Sequence, residues 1–223
     1  MRVGAIDVGI KNLAICIVED DKIVDWNVIN LLDEDETNHK CCVCNKYKSI
    51  NKNDNGTYCK RHTPENYTKI IKPKVSYDPL TYGRRMFHEL DKKKELYNTC
   101  VHITIENQPS LRNPKIKAVA SFIFAWFIYC CSNTVVSHIS ANNKLKVYKG
   151  NDIPTPNVKS KYTQRKQLGI LHTRKLLMNE PESLSFLDNH PTKIDDLCDS
   201  FLLAKYKQNE LLNKEKKMKK TIK

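Results

Sequence analysis

Along this chain of 223 residues the hydrophobic pattern changes period several times. Residues 2–8 (RVGAIDV) and 13–19 (LAICIVE) are short, β-branched runs separated by GIKN, and a third run, 23–31, follows a DDK turn. Three such runs in succession predict a β-meander that opens a sheet. At 33–38 (DEDETN) the composition shifts, and little periodic hydrophobicity survives from there to Tyr77. Residues 33–77 are therefore expected to be an insertion. Behind Pro79, residues 79–97 place Leu80, Phe87, Leu90 and Leu96 at amphipathic spacing, which predicts a helix. A buried strand is expected at 101–106, a helix at 115–131 and a strand at 134–140. A Pro- and Lys-rich loop should follow at 142–160, then helices at 162–178 and 193–206. The order βββ-α-β-α-β-α-α is an α/β pattern with one mixed sheet flanked by helices. No internal repeat is visible.

Composition narrows the class. At 40% apolar and 28% charged residues, the chain is globular rather than disordered or fibrous. The formal net charge is +13, and removing residues 205–223, with eight Lys and two Glu, still leaves +7. A basic body of this kind expects a polyanionic partner. The Lys-rich end, 207–223, is expected to be a disordered tail. The most apolar stretch, Ala118 to Cys131, is 14 residues long, too short for the roughly 20 that span a bilayer. It reads as a buried helix, and no membrane is expected. Nine cysteines, an odd number without a signal-peptide pattern, point to a reducing intracellular compartment and to metal ligands before disulfides.

Four of these sulfur and imidazole groups have metal spacing. Cys41-x2-Cys44-x14-Cys59-x2-His62 offers two close pairs, as a structural zinc site requires. Cys42 could replace Cys41, but then the first pair has a one-residue spacer. The insertion lacks a core of its own, so zinc would supply its folding energy. Lys46, Lys48, Lys52, Lys60 and Arg61 give it a basic surface compatible with DNA.

The acids form a second constellation. Asp7 ends the first strand and Glu106 ends another (TIENQ), at the sheet edge where α/β sites form. Asp196 and Asp199, three apart in KIDDLCD, share one helix face. Such a pair repels itself and adds nothing to a core. Asp195 competes with Asp196 for the role and could instead be an N-cap. Four carboxylates drawn from three places suit divalent-metal hydrolysis of phosphodiesters, since hard cations take oxygen ligands.

The three segments IDVGIKNLAI (6–15), ITIENQ (103–108) and KIDDLCDSFLLA (193–204) resemble the RuvC-like Holliday junction resolvases of the RNase H-like superfamily. The branch they look closest to is that of poxviruses, iridoviruses and other large DNA viruses. The resemblance spans roughly 1–32 and 79–204. It implies an RNase H-like nuclease domain over 1–206, interrupted by the zinc-binding insertion at 33–77. It implies a metal-dependent endodeoxyribonuclease that cuts four-way DNA junctions by paired nicks, with two Mg²⁺ (or Mn²⁺) ions on Asp7, Glu106, Asp196 and Asp199. The family also uses a basic residue from the loop or helix start before its penultimate long helix, for which Lys166 is the best match and Lys159 and Lys161 are alternatives. Arg84, Arg85, Arg112, Lys115, Lys117 and the basic run 144–166 would flank the cleft. Paired cutting implies a homodimer, with the 115–131 helix as its interface. A viral member would work in the host cytoplasm or a virus factory. Outside this family, a non-catalytic zinc-dependent DNA-binding protein or a broader branched-DNA or RNase H-type nuclease remain open.

Overall fold

The structure is a computed structural model that describes residues 1–32, 40–70, 78–108, 113–158 and 160–221. The chain divides into two compact units, Met1–Leu31 with Asp78–Lys223, and Leu32–Tyr77.

In the larger unit, β1 (Arg2–Asp7), β2 (Leu13–Glu19) and β3 (Lys22–Ile29) form the expected meander, each antiparallel to the next. The second unit supplies β4 (Asn51–Asn53), β5 (Gly56–Tyr58) and β6 (Thr68–Lys69). The larger unit resumes with α1 (Pro79–Asp91), α2 (Lys94–Asn98), β7 (His102–Glu106), α3 (Pro114–Cys130) and β8 (Val135–Ile139). A 3₁₀ turn (Ala141–Lys146) leads on to α4 (Lys161–Leu176), α5 (Pro181–Asp188) and α6 (Ile194–Thr221). The five-stranded sheet has the order β3-β2-β1-β7-β8, with β7 parallel to both β1 and β8. This is the mixed, helix-flanked sheet of the RNase H-like fold.

Alternation along the strands sends side chains to both faces, and both are covered. Val3, Ala5, Cys16 and Val18 share a buried cluster with Leu197, Phe201 and Leu202 of α6 and with Leu187 of α5. On α1 and α3, Tyr82, Met86, Leu90, Ile123 and Phe127 are buried, and α3 packs on β7 and β8. Trp26 of β3 locks α6 in place: its indole N–H lies 3.1 Å from the Leu197 carbonyl and its ring stacks on Phe186 at 5.6 Å.

Three expectations are corrected. The single helix expected over 79–97 is broken at Lys92 and Lys93, where Lys93 pairs with Asp25 at 2.5 Å. Helix α5 was not expected at all, although Pro181 at its first position is a start signal. The tail expected to be disordered from residue 207 continues α6 to Thr221. Its first turns are tied down: Gln208 is buried and donates to the Met1 carbonyl, Leu211 packs on the core, and Glu210 pairs with Lys207 and Lys214. Among the described residues, no helix is long and apolar enough to cross a membrane.

The second unit is built differently. Its strands form a small sheet in the order β5-β4-β6. Cys41, Ser49, Asn51 and Cys59 are buried, whereas Val43, Tyr47, Ile50 and Tyr67 are exposed. Among the described residues 40–70, thiols and polar groups take the interior, where a core would normally be apolar.

Candidate metal centre and nuclease cleft

The acidic cluster is assembled by register and packing. In the parallel ladder Ile6 faces Ile105, so Asp7 and Glu106, one residue further along, leave the sheet side by side. After Asp7 the chain turns within five residues. A Cβ on Gly9 would stand 2.4 Å from the Asn12 carbonyl oxygen, which is backbone and cannot yield, so the turn admits only glycine. The same turn aims the Asn12 amide at Asp196 Oδ2, 2.8 Å away. The opening motif D-x-G-x-x-N is thus a mechanical unit, with a carboxylate, a turn and a hydrogen-bond donor that orients a second carboxylate across the cleft. On α6, Asp196 and Asp199 face this point, and a Cβ on Gly169 of α4 would come within 3.4 Å of Asp199 Oδ1. A small residue there lets α4 cross close to the acids.

Asp7, Glu106, Asp196 and Asp199 all line one cleft of about 650 Å³. Lys144, from the 3₁₀ turn, reaches into it, ion-paired with Asp199 and 3.8 Å from Glu106. Sequence reading placed Lys144 only within a general basic run; a 3₁₀ turn just past a strand carries no spacing signature. Asn12 belongs to the opening motif, and its position in the sequence alone gives it no role. Lys166 lines the cleft and is ion-paired with Asp195, so Asp195 is engaged by α4 while Asp196 faces Asn12. Lys161 lines the cleft as well. Arg84 is exposed and Arg85 half-buried on α1, Lys115 is exposed at the start of α3, and none of the three lines the cleft. Arg112 and Lys159 lie outside the described residues.

The electrostatics describe buried carboxylates held close to one another. Burial, a hydrogen bond that the protonated Asp7 carboxyl donates to Glu106, and the charges of Glu106 and Asp199 hold Asp7 well above its ordinary range. Burial and the Asp195 charge push Asp196 up to about 6, against the pull of Lys166 and the Asn12 amide. Burial also raises Asp199, with Lys144 opposing. Like charges brought together out of water resist ionisation. The Lys144 ammonium already takes the place of a cation between two of them. Burial would lower its own pKa, yet Asp199, Glu106 and Asp7 raise it. A divalent ion on this oxygen set would offset the same repulsion more strongly, and an all-carboxylate set suits hard ions such as Mg²⁺ or Mn²⁺.

In the second unit, Cys41 Sγ, Cys44 Sγ, Cys59 Sγ and a His62 ring nitrogen all lie within 4.8 Å of one another. His62 Nδ1 is 3.5 Å from Cys41 Sγ and 3.4 Å from Cys59 Sγ. A tetrahedron with zinc–ligand bonds of about 2.3 Å to sulfur and 2.0 Å to nitrogen has sulfur–nitrogen edges of about 3.5 Å. Both His62–sulfur separations therefore match a zinc site, and the four groups are close enough to share one ion. Burial alone would raise the Cys41 thiol, but the amides of Cys59, Cys44 and Val43 and the His62 ring bring it down to about 5, toward the thiolate that zinc requires. Cys42, the alternative ligand, is exposed and stands outside the cluster.

The fold is the RNase H-like one, in the architecture also seen in RuvC-type Holliday junction resolvases. The chain superposes on the fowlpox virus resolvase in its complex with Holliday junction DNA with a TM-score of 0.51 at 19% identity, covering 95% of this chain and 99% of that one. It superposes on Thermus thermophilus RuvC, in complex with Holliday junction substrate, with a TM-score of 0.51 at 11% identity, covering 94% and 96%. At the sequence level it is 28% identical to an uncharacterized protein of Acanthamoeba polyphaga mimivirus, over 97% of this chain and 77% of that protein. No family model matches the chain.

Proposed function

We propose that this chain is a divalent-metal-dependent endodeoxyribonuclease that resolves four-way DNA junctions by paired nicks. One observation carries the reading: four carboxylates from three distant segments meet on a cleft walled by Lys144, Lys161, Arg165 and Lys166. A binding module gains nothing from carboxylates turned toward phosphates. The likeness of the fold to two junction-bound resolvases supports the choice of substrate.

Asp7, Glu106, Asp196 and Asp199 would hold two Mg²⁺ or Mn²⁺ ions. Divalent ions on such a site activate water and neutralise charge on the scissile phosphate. Water adds to phosphorus as the P–O3′ bond breaks, leaving 5′-phosphate and 3′-hydroxyl ends. The chain's own residues set the geometry: Asn12 fixes Asp196, and Trp26 fixes the start of α6. Lys144 keeps the carboxylates compensated before metal loading and is placed to offer its ammonium to a phosphate oxygen, with Lys166 as a second cation on the cleft wall. Lys161 and Arg165 would take backbone phosphates, which position the duplex without reading sequence.

Two nicks require two sites, and we assign the homodimer contact to α3. Ile123, Trp126 and Phe127 face inward, whereas Ser121, Ala125, Ile128 and Tyr129 form an outward stripe on which Ile128 is 61% and Tyr129 89% exposed. Tyr129→Glu should shift the sedimentation mass from dimer to monomer. The nine cysteines are all free, which supports a reducing intracellular compartment, and the mimivirus relative supports host cytoplasm or a virus factory as the location.

The decisive assay places a labelled four-way junction beside a matched linear duplex and an RNA–DNA hybrid, with Mg²⁺ or with EDTA. Symmetric, Mg²⁺-dependent nicks confined to the junction are expected. Preferential cutting of the hybrid would replace the resolvase with an RNase H-type enzyme. Tight junction binding with no cut under Mg²⁺ or Mn²⁺ would leave a DNA-binding protein.

A further inference from the structure

The module around Cys41, Cys44, Cys59 and His62 carries more than a metal site. Residues 40–70 contain six Lys and one Arg against one Asp and one Glu. Their basic side chains are not spread evenly about the ligands. The Cys44 sulfur accepts the amides of Lys46 and Tyr47, and the Cys59 sulfur accepts those of Arg61 and His62. The Tyr47 carbonyl in turn accepts the Cys41 amide at 2.9 Å. Both turns are therefore wrapped on ligand sulfurs, and they bring Tyr47 from one turn and Arg61 from the other together. The Arg61 guanidinium lies over the Tyr47 ring at 5.3 Å from its centroid and the Lys46 ammonium at 5.8 Å. The ring is still 42% exposed, and Lys46 and Arg61 are exposed beside it.

We propose that Tyr47, Arg61 and Lys46 form a metal-ordered contact site for unpaired nucleotides of single-stranded or branched DNA. A part-exposed aromatic ring with two cations held over it matches what a nucleotide presents, a π-face joined to a phosphate. Paired bases inside a duplex have both faces covered by their neighbours, so the ring can serve only a base that is already unstacked. Such bases occur at branch points, flaps and displaced strands. The choice of DNA rests on the nuclease reading given above; the geometry of the platform does not.

The test uses the full chain loaded with zinc, carrying Asp7→Asn and without added Mg²⁺, so that binding is read apart from cutting. Anisotropy of a labelled oligo-dT strand is compared with that of a blunt duplex. Tyr47→Leu keeps the bulk of the side chain and removes the π-face, while Tyr47→Phe keeps the ring. Tyr47→Leu should weaken single-strand binding about tenfold and leave duplex binding within about twofold, with Tyr47→Phe close to the parent. Arg61→Ala should reduce the slope of log affinity against log salt by about one for the single strand. A chelator that strips zinc should erase the single-strand term along with the platform. Zinc content, measured by native mass spectrometry, confirms that each variant keeps its ion. Equal binding by Tyr47→Leu and the parent overturns the proposal, as does an equal loss on strand and duplex, or a preference for the matching oligo-U strand. Junction nicking by the unmodified chain is scored separately. A chain that nicks while Tyr47→Leu binds like the parent loses only this site, and a chain that never nicks but loses strand binding with Tyr47→Leu loses only the nuclease.

Discussion

This chain builds two candidate cation sites that solve the same problem in opposite ways. The carboxylate site is imposed by a framework that exists without metal: strand register places Asp7 beside Glu106, and buried Leu197, Phe201 and Leu202 hold α6 where Asp196 and Asp199 must be. Its ligands are buried and forced together against their mutual repulsion, and burial first, repulsion second, raise the pKa values of Asp7, Asp196 and Asp199. The thiolate site has no such framework. Among its described residues the buried ones are Leu32, Ser49, Asn51 and two of the ligands themselves, so the ion takes over most of the work of a core. A framework that compresses acids stores repulsion that metal and substrate can relieve during catalysis. A site that needs its ion to exist can hold a surface in shape but cannot exchange that ion during turnover.

The largest effect that could break this contrast is removal of zinc. Chelation, or Cys59→Ser, should withdraw about 10 kcal/mol or more of binding free energy from the module and leave its backbone amides unprotected against hydrogen exchange over 40–70. Both tryptophans, Trp26 and Trp126, belong to the larger unit, so the urea midpoint read by tryptophan fluorescence should stay where it was. A module that keeps its protection without zinc, or a tryptophan transition that moves with it, would erase the distinction. Next in size is Asp7→Asn. It should reduce junction nicking by at least roughly 10³-fold, about 4 kcal/mol of transition-state stabilisation. The variant should fold as well as the parent or better, because it removes a buried acid that lacks its metal. A gel assay of labelled junction beside a urea titration reads both.

Acid should separate the two sites by sign. Without magnesium, Asp196 in the folded protein holds its proton up to about 6, against about 4 when unfolded. The folded state therefore binds the extra proton, and stability should rise as pH falls from above 6 toward 4, by at most about 3 kcal/mol. His102 works the other way. Buried on β7, with its ring nitrogen 2.7 Å from Ser137 Oγ, it is held down to about 4 by burial, with Lys207 and Lys214 adding to the effect. Here the unfolded state binds the proton first, so stability is lost between about 6.5 and 4, by a similar amount. Asp196→Asn should expose the histidine loss and His102→Gln the aspartate gain, in urea midpoints measured across that range. Parent-like profiles in both variants would show that neither group titrates as its surroundings require. The zinc module should respond only with loss, because its thiolates must stay deprotonated to hold the ion.

What was legible in the sequence divides along the same line. The thiolate ligands could be read from spacing because each pair is local to one tight turn. Asp7 and Glu106 could be read because a charged residue ending an apolar strand is conspicuous, although their adjacency depends on a parallel pairing that no local pattern encodes. Lys144 was hidden within a basic run, since its role comes from a 3₁₀ turn that only the packed sheet positions. The extent of α6 was hidden for the converse reason. A lysine-rich segment reads as solvated, and only Gln208 and Leu211, tucked against the sheet, show that its first turns belong to the fold. Charge alone gave Arg84, Arg85 and Lys115 no address, and they stand outside the cleft lining.

The smallest effect tests whether the framework positions its acids or merely collects them. Asn12 neither faces the core nor bears charge, yet its amide is 2.8 Å from Asp196 Oδ2, and the turn that brings it there leaves no room for a side chain at Gly9. If the contact only neutralises repulsion, Asn12→Asp should be the damaging change and Asn12→Ala nearly silent. If it sets the direction of a metal ligand, Asn12→Ala should lower nicking about 10- to 100-fold, as the loss of partners behind metal ligands generally does. Its Mg²⁺ midpoint should move to higher concentration while the urea midpoint changes by less than about 1 kcal/mol, and Asn12→Gln, with its longer reach, should recover only part of the loss. The second outcome is expected, because burial and Asp195 already push Asp196 toward protonation, and the Asn12 amide is one of the two groups that oppose this. A silent Asn12→Ala would mean that α6 alone aims Asp196, and that the D-x-G-x-x-N turn serves only to bring the chain from β1 into β2.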